Sequence, residues 1–262
     1  MEPDERVRHG SSFGAAAAAY AEHRPDYAGA AVRWALTPAG PHPRVLDLGA
    51  GTGKLTAMLA AFGADVTAVE PDPAMLAELR RAVPAVPAMP GSAEAIPLPD
   101  ASADAVLCGQ AMHWFDMPLA LPEIARVLVP GGVLAGLWNS DDDRVPWVAG
   151  LERVSDGAAS LTMSRWRAET VSARIAAMES PHFAPAERAD FEHGQRRTAG
   201  SLVATIATHS RLLVMDEAAR SRLLEQVGAY LREQPETSSG EFTLPMITSV
   251  IRAARVRDVP AQ

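Results

Sequence analysis

The chain has 262 residues, 48% of them hydrophobic, enough to bury a full core as one large unit. Its formal net charge of −8 and the lack of a basic tract argue against a nucleic-acid partner, which needs clustered Lys and Arg. The single cysteine, Cys108, excludes an internal disulfide and a thiolate metal cluster, and no apolar run reaches the roughly 18 residues of a membrane span.

Residues Met1 to Arg6 carry no apolar leader-like segment, so a soluble, cytoplasmic protein is expected. Phe13 to Glu22 is alanine-rich and helix-prone; Arg24-Pro25 interrupts it, and a second helix is expected from about Asp26 to Leu36. An α/β alternation then begins, with strand 45–49, helix 53–62, strand 65–70 and helix 73–82. A proline-broken strand near 85–90 suits a sheet edge, and strand 104–109, helix 118–128 and strand 132–138 follow. Such alternation implies a parallel, doubly wound sheet with ligands at the carboxyl ends of its strands. Residues 146–180 read as helices, with Trp147, Met163 and Trp166 among their apolar positions. A strand of alternating polarity at 187–198, helices at 200–214 and 216–232, and a strand at about 243–255 complete the chain. No low-complexity linker separates the halves, so a single unit over 1–262 is expected. Within it, 1–40 would supply lid helices, 41–140 a cofactor-binding core, and 141–262 substrate-side helices with the last two strands.

The most informative segment is Val45-Leu46-Asp47-Leu48-Gly49-Ala50-Gly51-Thr52-Gly53-Lys54-Leu55. An apolar strand ends at a carboxylate, passes through three alternating glycines and opens a helix, which presents backbone N–H groups and a helix N-terminus to a ligand. A dinucleotide fingerprint wants glycine at its first, third and sixth positions, and the sixth here is Lys54. Asp47 would repel a pyrophosphate but can serve the ammonium of a methionine moiety. Glu70, at the tip of the second strand, can accept hydrogen bonds from both hydroxyls of a ribose. The following Pro71-Asp72-Pro73 reads as a helix start with Asp72 as N-cap.

Further motifs stand in order: Gly91-Ser92-Ala93-Glu94-Ala95-Ile96-Pro97, Asp104 through Cys108 into Gly109-Gln110-Ala111-Met112-His113-Trp114-Phe115-Asp116, and Glu123 through Pro130-Gly131-Gly132 into a strand ending at Trp138-Asn139. With the glycine loop and Glu70, they make the chain resemble the class I, Rossmann-like S-adenosylmethionine-dependent methyltransferases of the small-molecule type, over most of its length. The resemblance implies a seven-stranded, mostly parallel sheet whose last strand is antiparallel, with extra lid helices at the N-terminus and in the C-terminal half. It implies S-adenosyl-L-methionine as cofactor, with S-adenosyl-L-homocysteine as product. Arg24, Asp47, Gly49, Ala50, Gly51, Glu70, Pro71, Met75, Ser92, Ala93, Glu94, Gln110 and Ala111 are the expected cofactor-binding positions. The Ser92 position commonly carries aspartate in the family, so here Glu94 or a backbone carbonyl is the expected acceptor for the adenine amino group.

For the chemistry, His113 is the candidate general base because its ordinary pKa of about 6.5 suits proton abstraction near neutrality. Tyr20 could close over the sulfonium, and Phe13, Trp114 and Trp138 could line the acceptor pocket. A local structural role for His113, and a core role for Phe115, compete with those readings. Asp141-Asp142-Asp143 diverge and read as a solvated loop, and His182, His193 and His209 lack ligand spacing, so no metal is expected. The acceptor is expected to be a small organic molecule, an aromatic or heteroaromatic secondary metabolite by the Trp, Met and Leu content of the lid. Arg144, Arg165 and Arg211 keep a carboxylate-bearing acceptor open. Rival readings are a nicotinamide-dependent oxidoreductase and a non-catalytic cofactor-binding partner protein.

Overall fold

A computed structural model describes residues 25–155, 168–207, 212 and 215–256. The repeating unit consists of β1 (Arg44–Leu48), α2 (Lys54–Ala61), β2 (Asp65–Val69), α3 (Pro73–Ala82), β3 (Ala88–Met89), β4 (Ala103–Gly109), α4 (Met117–Val127) and β5 (Leu128–Asp141), preceded by α1 (Gly29–Leu36). Then come α5 (Pro146–Val154), α6 (Ala168–Met178), β6 (Glu187–Thr198), α7 (Ala199–Ala207), α8 (Glu217–Glu233) and β7 (Glu241–Ala254). The strands form one seven-stranded sheet in the order β3-β2-β1-β4-β5-β7-β6. Parallel pairing holds from β3 to β5, and β7 runs antiparallel to both of its neighbours. This is the doubly wound sheet with an antiparallel last strand that the sequence led us to expect, and the proline-broken β3 sits at its edge.

Local chemistry sets the boundaries. Asp72 caps α3, its Oδ1 accepting from the N–H groups of Ala74 and Met75, and Pro73 occupies the first turn where no donor is missed. The first described helix starts at Gly29 rather than near Asp26. Residues 25–28 form no helix, and the N–H of Ala28 is donated to Thr248 Oγ1 at 2.9 Å. Strand β5 is longer than the apolar run suggested. The β4–β5 register jumps from Ala103↔Leu128 to Ala105↔Val133, so Pro130-Gly131-Gly132 forms a bulge inside the strand instead of preceding it.

The two sheet faces bury separate cores. One face holds Leu46, Val106, Leu134 and Trp138 under α4 and α6; the other holds Val45, Leu107, Leu137 and Val250 under α1 and α2. A third core lies beyond the sheet. β5 ends opposite Met246, with one further bond from Asp142 N–H to Pro245 O, so residues 241–244 of β7 pair with β6 alone and extend as a two-stranded ribbon. On it Phe242, Leu244 and Met246 pack with Trp147 and Leu151 of α5, Leu202 of α7 and Val227 and Leu231 of α8. This lid bundle stands at the carboxyl ends of β5 and β6, beside the place where a doubly wound sheet binds its ligand. Among the described residues no helix is long and apolar enough to cross a membrane.

Candidate active site

β1 delivers the chain into a loop whose glycines all adopt the left-handed conformation, with φ of +70° at Gly49, +57° at Gly51 and +87° at Gly53. At Gly49 the need for glycine is twofold. A Cβ there would meet the Ala111 Cβ at 2.7 Å and the Phe115 ring at 3.4 Å, as well as straining the backbone. The N–H groups of Gly49 and Ala50 donate to Val69 O, tying the loop to β2. The N-cap of α2 is Gly53, which brings no capping side chain to that helix N-terminus.

Two buried carboxylates flank this loop. Glu70 is 7% exposed; its Oε2 accepts from Gly51 N–H at 2.8 Å and its Oε1 from Asp72 N–H at 2.9 Å. Burial raises its pKa, and those two N–H donors oppose the rise. Each oxygen retains a second lone pair for a ligand hydroxyl. Asp47 is fully buried; its Oδ2 accepts from Thr56 Oγ1–H at 2.6 Å, and burial pushes its pKa up to about 7. Its Oδ1 has no hydrogen-bond partner among the described residues, and neither has Thr52 Oγ1 in the same loop. Buried polar atoms are rarely left so, and this pair marks where a polar ligand group would complete the site.

The remaining predicted positions fall around that loop in unequal ways. Met75 is buried, its Sδ 3.7 Å from a Cβ placed on Gly51, while Pro71 is exposed. Ser92 and Ala95 form an isolated bridge, Ala93 between them is buried, and Glu94 spends Oε1 on the N–H of Asp116 at 2.8 Å. Gln110 holds a left-handed φ of +56°, and its N–H reaches Leu137 O at 2.9 Å. Ala111 and Met112 are buried and open a short 3-10 turn, Met112–Trp114. His113 is exposed on that turn, its ring centroid 4.7 Å from that of Trp114, which is half-buried.

Trp138, expected at the acceptor pocket, is 3% exposed and lies in the core under α4 and α6. Its ring folds back over Gly136, and the Arg174 guanidinium stacks on it at 4.0 Å. The reason is strand alternation: Trp138 follows Leu134 and Gly136 on the face that α4 and α6 cover. The Asp141–Asp143 segment is less solvated than its charge suggested. Asp142 is buried and takes a bidentate pair from Arg144, whose Nη2 also reaches Glu192 at 2.6 Å. Arg144 is thereby engaged within the protein, and its guanidinium holds the Asp142 carboxyl below its usual range. Phe13, Tyr20 and Arg24 lie outside the described residues, as do Met163, Arg165, Trp166 and Arg211. No metal-holding group of His, Cys, Asp or Glu occurs among the described residues. Cys108 is fully buried, and burial drives its thiol well above its ordinary pKa.

Comparison with known proteins decides what this loop belongs to. A methyltransferase-domain family model matches residues 46–136, from β1 to the middle of β5. A protein of Mycobacterium tuberculosis H37Rv, described as an uncharacterized methyltransferase, is 40% identical over 245 residues, which span 92% of this chain and 95% of that protein. The chain belongs to the class I methyltransferases. A malonyl-[acyl-carrier protein] O-methyltransferase of Enterobacter lignolyticus is 37% identical over 137 residues, covering 52% of this chain and 55% of that one. Among solved structures, a chain from Anaeromyxobacter dehalogenans, assigned without an established activity to the type II methyltransferases, aligns with a TM-score of 0.66. It is 27% identical, and the alignment covers 91% of this methyltransferase and 99% of that chain. This methyltransferase is therefore an S-adenosylmethionine-dependent enzyme by family.

Four residues to which the sequence assigned no site role in this methyltransferase are drawn by the structure to the same edge. They are Tyr27, whose hydroxyl lies 2.5 Å from where a Cβ on Gly109 would stand, and the buried Asn139 and Thr248 with the adjoining His193. Asn139 carried a legible signal, a polar amide closing an apolar strand. Thr248 carried none, since a threonine in a β-branched strand is ordinary.

Proposed function

We propose that the glycine loop and Glu70 hold S-adenosyl-L-methionine, and that the enzyme methylates a small organic acceptor admitted between the sheet edge and the lid bundle. The observation carrying this is the pair of buried atoms Asp47 Oδ1 and Thr52 Oγ1, without a hydrogen-bond partner among the described residues, beside a carboxylate already organised by loop N–H groups. In this reading Glu70 accepts from the ribose hydroxyls. Asp47 faces the methionine ammonium, Gln110 and Ala111 flank the methionine chain, and Gly49, Ala50 and Gly51, whose N–H groups are spent on Val69 O and Glu70, let the cofactor approach the backbone closely. Met75, Pro71, Ser92, Ala93 and Glu94 surround the adenine, and Arg24 reaches the cofactor's carboxylate. When bound, the cofactor supplies a methyl group already activated by its sulfonium, which passes in line to the acceptor's nucleophilic atom and leaves S-adenosyl-L-homocysteine.

The chain's own contribution is alignment, exclusion of water and removal of one proton. His113 stands on the 3-10 turn just past β4, where it orients the acceptor or takes that proton, with Tyr20 as its aid. Trp114 offers a ring for an aromatic or heteroaromatic acceptor to stack on, and Phe13, outside the described residues, is a further candidate for that role. Carboxylate methylation is a second reading, favoured by the relative named for O-methylation of a malonyl group. With Arg144 occupied by Asp142 and Glu192, an acidic acceptor would need another cation. Calorimetry with S-adenosylhomocysteine tests the cofactor assignment: binding is expected, with loss in Glu70→Ala and Asp47→Ala, and a protein that takes up none overturns it. Labelled methyl transfer from S-adenosylmethionine to a panel of phenols, heteroaromatic amines and carboxylic acids then separates the two acceptor readings.

A further inference from the structure

Residues Pro25 to Ala28 cross the carboxyl ends of the central strands as a strap, tied on both sides. On the glycine-loop side, the Asp26 carboxylate lies 3.5 Å from Lys54 Nζ at the start of α2. On the other side the ties are buried. Asn139, 2% exposed at the end of β5, donates its Nδ2 hydrogens to the carbonyls of Asp26 at 3.0 Å and Pro25 at 3.5 Å. Its Oδ1 accepts from Thr248 Oγ1 at 2.6 Å, and Thr248, fully buried on β7, accepts in turn from Ala28 N–H at 2.9 Å. His193 Nε2 lies 3.1 Å from the same hydroxyl. The single Thr248 hydrogen is committed to Asn139, whose oxygen can only accept, so His193 must be the donor and carries its proton on Nε2. Burial lowers the His193 pKa, in keeping with that neutral tautomer, against the opposing charge of Asp26.

The network also reaches the candidate cofactor site. Asn139 O accepts from Gln110 Nε2 at 3.2 Å, and Gln110 is the residue with a left-handed backbone just past β4. In the middle of the strap, Tyr27 is buried with its hydroxyl against the backbone of Gly109, the last residue of β4. A buried tie that spends both hydrogens of one amide and a lone pair of one hydroxyl on a four-residue strap does more than close a surface gap. We propose that Asn139 and Thr248 are positioning residues for methyl transfer, holding the strap and the Tyr27 ring against the end of β4 beside Gln110. This rests on placing the cofactor at the glycine loop.

The test compares wild type with Thr248→Val, Thr248→Ser and Glu70→Ala, reading S-adenosylhomocysteine affinity by calorimetry and hydrogen exchange of the strap amides. Thr248→Val is expected to bind about tenfold more weakly and Thr248→Ser to stay within about twofold of wild type. In wild type and Thr248→Ser the cofactor product should slow exchange of the strap, and in Thr248→Val it should not. Should Thr248→Val fail to fold, His193→Ala removes one tie from the edge strand, with about threefold weaker binding expected. If Glu70→Ala loses binding while Thr248→Val, or His193→Ala in its place, keeps wild-type affinity and wild-type strap protection, the strap is a structural tie only and the proposal is overturned. If wild type binds no product, or Glu70→Ala binds as tightly as wild type, the cofactor placement itself fails and the proposal falls with it.

Discussion

Asp47 and Glu70 are both buried carboxylates, and their partners set them different tasks. Glu70 receives backbone N–H bonds from two residues, whereas Asp47 is served by Thr56 alone and burial pushes it up to about 7. A carboxyl whose folded pKa is raised binds its proton more tightly in the native state. Its contribution to stability is therefore fully present below the unfolded value of about 4 and is lost as pH rises through about 7. Asp47→Asn should flatten that part of the stability profile, measured as Tm between about pH 5 and about pH 8. A cofactor ammonium beside Asp47 would favour the ionised form, so product binding should release a proton near neutrality and tighten with rising pH. Calorimetry in two buffers of different ionisation enthalpy reads that proton, and it should vanish in Asp47→Asn. Glu70→Ala is expected to weaken product binding by about a hundredfold while leaving the fold intact, as checked by calorimetry and circular dichroism. His113, exposed on its turn, should contribute little to cofactor affinity. His113→Ala is expected to leave product Kd within about twofold of wild type and to show its effect in turnover of an accepted substrate.

At the scale of elements, the glycine loop and the 3-10 turn after β4 are one packing unit, because Gly49 sits under Ala111 and Phe115. Gly49→Ala combines a left-handed backbone with a contact of 2.7 Å. It should cost about 1–3 kcal/mol, seen as a lowered denaturation midpoint, and should displace Gln110 and Ala111 with loss of product binding. The loop was legible in the sequence because its chemistry is local: an apolar strand, alternating glycines and a helix start within eleven residues. So were β2, α3 and β6, whose periodicity or capping is written in neighbouring positions. Trp138 was not, because its place depends on which face of β5 α4 and α6 cover, and that is set by residues far along the chain. Asp142 was misjudged for a different reason: Arg144, two residues on, turns back to pair with it, which a run of three carboxylates does not announce. The strap was hidden because its ties join residues 220 and 109 positions apart, Ala28 to Thr248 and Asn139 to Thr248.

Across the whole molecule, the sheet with its two face cores and the lid core meet at one ribbon. The sheet and its flanking helices carry Glu70, Asp47 and the glycine loop, while α5, α7 and α8 pack on the extension of β6 and β7 beyond β5. The lid core has an internal lock: Tyr230 donates its hydroxyl to Trp147 O at 2.8 Å, and a Cβ on Gly150 would fall 2.0 Å from the Tyr230 hydroxyl oxygen. Since no candidate cofactor contact lies on α5, α7 or α8, cofactor affinity and lid stability should separate. Gly150→Ala is expected to push Tyr230 out of its bond and raise hydrogen exchange in α5 and α8. Product affinity should stay within about threefold of wild type, because a packing change distant from the ligand adds independently. Saturating product at about a hundred times its Kd should stabilise the sheet core by about 2.7 kcal/mol and leave exchange in the lid helices of this variant high. Should product affinity fall in step with lid protection, the lid belongs to the cofactor site as well as to the acceptor. The boundary drawn between sheet and lid would then have to move onto the ribbon, at Leu244 and Met246.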